Sequence, residues 1–118
     1  MGKLVDKAAK EDDVYELVRP AYASPEERAD IDLALVEAAQ RLGSRGKGEE
    51  LARILTLPEI TGQWLAVEEA IKRLVRLGPT VVPQVCAASY GCHPAAELNG
   101  ARALELLGRP DYAERLRM

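Results

Sequence analysis

Three stretches of this chain end alike: EAAQRLG at 37–43, IKRLVRLG at 71–78 and ARALELLG at 101–108. Each sets alanine and leucine at helical spacing and closes on Leu-Gly, and glycine is the residue that most readily ends a helix. The closing glycines stand 35 and 30 residues apart, and each is followed by a second, shorter helical stretch. One helix pair cannot bury its apolar face alone, so repeated pairs must stack and share a core. The composition suits this: 47% hydrophobic residues with no Phe and one Trp. A core of Leu, Val, Ile and Ala favours packed helices over sheets. At 118 residues the chain is long enough for one domain with a real core.

The periodicity predicts the helices in turn. SPEE at 24–27 has the form of a capping box, with Ser24 as N-cap, Pro25 at the first helical position and Glu27 reaching back. Ile31, Ala34, Leu35, Ala38 and Leu42 then share one face, and Gly43 is expected to stop the helix. KGEELARILTLP puts Leu51, Ile54 and Leu55 together, and Pro58 ends that segment. A third helix after Thr61 buries Trp64, Val67, Ala70, Ile71 and Leu74. It pairs Glu68 with Lys72 and Glu69 with Arg73, and Gly78 ends it. A fourth helix opens at Thr80 as N-cap, a fifth runs from Pro94 to Gly108, and a short last one starts at Pro110. Before Ser24, KLVDKAAK and DDVYELVRP predict one more pair, with Asp12 or Asp13 as cap. PTVVPQV is the most strand-like run, but its two prolines argue against a strand.

Charge is unevenly placed. Residues 1–37 hold five Lys/Arg and ten Asp/Glu, a balance of −5; the rest hold eleven and nine, a balance of +2. That polarity can steer a partner or end-to-end association, and it is equally what solvated helix faces look like. No apolar run approaches the ~20 residues of a membrane span. The opening MGKLVDKAAKEDD lacks the apolar core of an export signal, so a cytoplasmic location is expected, with two reduced cysteines.

WLAVEEAIKRLVRLGPTVVPQVCAA, residues 64–88, resembles a HEAT-like repeat of the type found in phycocyanobilin lyases. In that pattern a first helix closes on Leu-Gly and a proline-containing start opens the second. The resemblance implies an all-α fold: a short right-handed α-solenoid of about three helix pairs (24–58, 61–91 and 93–118) behind an N-terminal capping pair (3–22), all one domain over 1–118. Tetratricopeptide repeats have a similar period of ~34, but their Trp, Tyr and Pro positions are not matched.

The rarest residues crowd together at 86–93. Val81, Val82 and Val85 must form the buried face of their helix, which places Cys86 in the core as a small hydrophobe. Cys92 lies in the following turn, roughly 9 Å along from Cys86, beyond the roughly 7 Å a disulfide tolerates. His93 precedes a first-position proline, so it or Cys92 is expected to cap the next helix. A metal site there lacks two further ligands, and a Cys–His nucleophilic pair lacks an orienting group. No metal and no cofactor is expected. Among enzymes with HEAT-like folds, deoxyhypusine hydroxylases need repeated His-Glu pairs; this chain has one His, followed by Pro. Alkylpurine DNA glycosylases of this type need a basic, aromatic-lined surface, whereas this chain is acidic. Arg41, Arg45 and Lys47 form a basic cluster at a helix junction and are read as a helix C-terminal complement.

What remains is surface. The resemblance puts the second helices on a concave face, where Gln84, Ala87, Ala88 and Gly91 form the outward stripe of one unit. Glu49, Arg53 and Thr56 stand beside them from the unit before. Small residues let another backbone come close and flanking charges select it. The expectation is a non-catalytic protein-binding module or adaptor, not an enzyme. Its short last unit leaves a face that invites a homodimer contact or docking on a partner. Two alternatives from other classes are a nucleic-acid-binding HEAT-like protein and an auxiliary lyase or chaperone-like subunit acting on a tetrapyrrole protein. Gly100, in mid-helix, is expected to mark close helix packing.

Overall fold

Apolar residues at three- and four-residue spacing become helices wherever the chain can be followed. The computed structural model describes residues 13–23, 28–58 and 64–117, and over these the chain is all-helical. The helices are α1 (Val14–Ala23), α2 (Arg28–Ser44), α3 (Gly48–Ile54), α4 (Leu65–Leu77), α5 (Val82–Ser89), α6 (Pro94–Leu106) and α7 (Pro110–Arg117). A 3-10 turn, Pro79–Val81, leads into α5. The expected capping box at 24–27, the helix expected within 3–12 and the helix start at Thr61 lie outside the described residues.

The molecule measures 41 × 29 × 19 Å. Its short dimension is about two helix diameters of ~10 Å. α2 packs on α4 and α4 on α6; α1 packs on α3 and α3 on α5. α7 lies against α6. Ile31, Leu35, Leu51, Ile54, Leu55, Leu74, Val85 and Leu104 are fully buried in one continuous core. Truncating any of these leucines or isoleucines to Ala removes ~2–5 kcal/mol by lost transfer energy and the cavity left behind. Trp64 is buried with them, its indole N–H donating to the Pro58 carbonyl at 2.8 Å.

Several local expectations are corrected. Gly43 does not end α2, which runs on to Ser44. The left-handed residue is Gly46, with φ 68°. Lys47 N–H closes on the Leu42 carbonyl and Gly46 N–H on that of Gly43, the paired bonds of a glycine-terminated helix. Gly43 instead faces Arg73 of α4; a Cβ there would come within 2.8 Å of the Arg73 side chain. The true helix-ending glycines are thus Gly46, Gly78 and Gly108, all with positive φ. Thr80 is not the N-cap of α5: it sits inside the 3-10 turn, and Val81 holds the cap position. α1 begins after Asp13, whose carboxylate accepts from Glu16 N–H at 3.2 Å, and continues three residues past Pro20.

Two contacts tie successive helices. Trp64 occupies the N-cap of α4 and its side chain caps nothing. Asp32 of α2 does so from across the interface, accepting from Leu65 N–H at 3.1 Å and Ala66 N–H at 2.7 Å. Glu69 pairs with Arg73 at 2.7 Å, as the spacing predicts. Glu68 does not pair with Lys72; Arg102 of α6 donates to both its oxygens, at 2.7 and 2.9 Å. Packing α6 beside α4 offers Glu68 a fork-shaped partner that an isolated helix cannot.

Candidate functional site

Gly48–Ile54 and Val82–Ser89 lie side by side, and their outward faces enclose a shallow groove of about 240 Å³. Glu49, Arg53, Gln84, Ala87 and Ala88 line it, together with Pro83. Five of the six surface residues expected from the sequence thus meet in one place. Gly91, the sixth, lies beyond the end of α5 in the turn, exposed at φ 73°, and does not line the groove. Thr56 does not reach it either. It is buried, its hydroxyl donating to the Arg53 carbonyl at 2.6 Å.

The groove carries one charge of each sign, on Glu49 and Arg53. The Arg53 guanidinium stacks over the Tyr15 ring, 5.0 Å from its centroid. Periodicity could not place Tyr15 here, because it comes from α1, 38 residues before Arg53. Between them Ala87 is exposed and Ala88 half-buried, so the floor has methyl groups and little that protrudes. Gln84 is held down: its amide nitrogen donates to the Thr80 and Val81 carbonyls at 3.0 and 3.2 Å, in the orientation that pairs donor with acceptor.

The cysteine–histidine stretch resolves differently from its sequence appearance. Cys86 is half-buried rather than in the core. Val85 takes the inward position, and Cys86, a further ~100° around the helix, edges a cleft of about 220 Å³ with Tyr90, Tyr112 and Leu116. Burial pushes the Cys86 thiol up, Arg109 opposes that, and Asp111 adds to it. Arg109 and Asp111 hydrogen-bond at 3.0 and 3.2 Å, which holds the Asp111 carboxyl below and the Arg109 guanidinium above their usual ranges. Cys92 is exposed, and both cysteines are free thiols.

His93 is the N-cap of α6. Its Nδ1 accepts from Ala96 N–H at 3.2 Å, and its Nε2 faces the Thr56 carbonyl at 2.9 Å. One nitrogen must accept and the other donate, so the ring carries its proton on Nε2. Asn99 adds a bond to the Leu55 carbonyl at 3.1 Å. His93 and Asn99 therefore satisfy the carbonyls at the end of α3, carbonyls that no helix turn would reach. Among the described residues, no three His, Cys, Asp or Glu side chains converge as a metal's ligands would. Arg41 and Arg45 are each engaged within the chain.

No helix among the described residues is long and apolar enough to cross a membrane. No family model, no curated protein and no solved structure matches this chain.

Proposed function

We propose that this chain is a non-catalytic protein-binding module or adaptor, built as a short right-handed solenoid of HEAT-like helix pairs. A helix or peptide of the partner docks in the groove between α3 and α5. The helix order supports the solenoid: α2, α4 and α6 follow one another side by side, as do α1, α3 and α5. The docking reading rests on the meeting of Glu49, Arg53, Gln84, Ala87 and Ala88 around one groove. Alanines on its floor admit a close backbone, and the two charges at its side set register.

The test is Ala87→Arg. Ala87 is exposed on a helix, so the longer side chain costs the fold little while filling the groove. In affinity capture from the native host, the protein retained by the wild type is lost by this variant at an unchanged melting temperature. Equal retention by both overturns the assignment of the groove.

A further inference from the structure

The two charged side chains of the α3–α5 groove are not spent on each other. Glu49 stands four residues before Arg53 on α3, the spacing and order in which a carboxylate and a guanidinium pair along a helix. The same arrangement on α4, Glu69 before Arg73, closes at 2.7 Å. On α3 it stays open. Glu49 is exposed and Arg53 half-buried, and neither has a hydrogen bond or ion pair among the described residues. The Arg53 guanidinium lies instead over the Tyr15 ring, 5.0 Å from its centroid. An exposed ion pair gains little, and the face of a ring holds a guanidinium about as well.

Stacking occupies the flat face of the guanidinium and leaves its N–H edge for another group. That edge is a planar fork of donors that fits a carboxylate, and the ring behind it fixes the plane before a partner arrives. The other residues of the groove, Pro83, Gln84, Ala87 and Ala88, carry no charge, so its lining sums to zero. A wholly acidic or wholly basic segment would meet one like charge there. A segment with one charge of each sign, in the right order, meets none.

We infer that the groove selects a partner helix carrying a carboxylate for Arg53 and, four residues later, a cation for Glu49. This rests on docking at the α3–α5 groove and adds what the partner must present. Four residues of helix rise ~6 Å, so the partner's pair repeats the spacing of Glu49 and Arg53. A helix antiparallel to α3 then sets each charge against its opposite. Acid before base is also the order that an isolated helix favours. Complementary charges of this kind fix register and reject wrong partners more than they add affinity. Tyr15 is a positioning residue: it acts through Arg53 by holding the fork.

The experiment selects binders of the full chain from a displayed library of 18-residue helical peptides that sample Ala, Leu, Gln, Glu and Lys evenly. Peptides that also bind Ala87→Arg are removed, so those kept need the groove. They are expected to share Glu four residues before Lys. A synthesised winner binds Arg53→Glu and Glu49→Lys at least tenfold more weakly than wild type. The same peptide with its Glu and Lys exchanged regains binding to the Glu49→Lys, Arg53→Glu double variant, which shows that the variant is folded. Tyr15→Phe keeps the ring and binds the winner as wild type does, while Tyr15→Leu binds it several-fold more weakly. Groove-dependent binders without that charge order, or indifferent to both charge reversals, overturn the inference and leave the groove standing. Equal binding by Tyr15→Leu and wild type overturns the part given to Tyr15. If no peptide tells wild type from Ala87→Arg, the groove reading falls and the inference with it.

Discussion

Gly100 and Ser89 show how a single atom sets the packing of two helices. A Cβ on Gly100 would collide with the Ser89 hydroxyl and come within 3.2 Å of Leu116. The absent side chain lets α6 lie on α5. Gly100→Ala gains ~1 kcal/mol in helix propensity and loses ~1–3 kcal/mol to overpacking. A lower midpoint in urea is expected, and an unchanged or raised one would refute the close contact. The Ser89 hydroxyl is buried and finds no hydrogen-bond partner among the described residues. An unmet buried hydroxyl costs ~1–3 kcal/mol of desolvation, so Ser89→Ala should raise stability in the same assay.

The two cysteines differ in the same residue-by-residue way. Cys86 is half-buried, with its thiol pushed up by burial, while Cys92 is exposed. The thiolate is the reacting species, so a higher pKa and poorer access both slow Cys86. At pH 8 a thiol reagent should modify Cys92 about tenfold faster than Cys86, followed by mass spectrometry of the native protein. Unfolding in urea should abolish the difference.

At the scale of the element, the helix ends depend on neighbours. α4 begins at a residue that cannot cap it, and Asp32 does so from α2. An N-cap carboxylate replaced by Ala typically costs ~1 kcal/mol. Asp32→Ala should lower stability by that amount and also loosen α2 from α4. Arg102→Ala should cost less than ~1 kcal/mol and nothing measurable in high salt, since its pair with Glu68 is largely exposed. Denaturant melts at low and high salt distinguish these: an Asp32→Ala loss that salt erases would contradict a capping role. The helix interiors were readable from spacing. All five residues expected to be buried on α2 are buried, as are the five expected for α4, four on the helix and Trp64 at its N-cap. The ends were less so. Leu-Gly at 42–43 looks like a stop, but the chain turns three residues later, where Gly46 takes the positive φ.

At the scale of the whole molecule, the proposed stack of helix pairs makes mostly neighbour contacts, which predicts uneven opening. Leu104 is fully buried in α6, and α7 packs on α6. Leu104→Ala should reduce hydrogen-exchange protection most in α6 and α7 and least in α1 to α3. A uniform loss across all helices would show a single cooperative unit and count against the solenoid.

The sequence by itself determined that the chain is helical, where most helices run, which faces they bury and which outward residues are small or charged. Those properties follow from local spacing, which any chain with this pattern must obey. Only the tertiary structure decided that Glu49, Arg53, Gln84, Ala87 and Ala88 share one groove while Gly91 and Thr56 stand apart. It alone brought Tyr15 to Arg53, Asp32 to the start of α4, and His93 to the carbonyl of Thr56. Each of these joins residues far apart in the chain, and such pairs are set by how helices stack, which no spacing within one helix records.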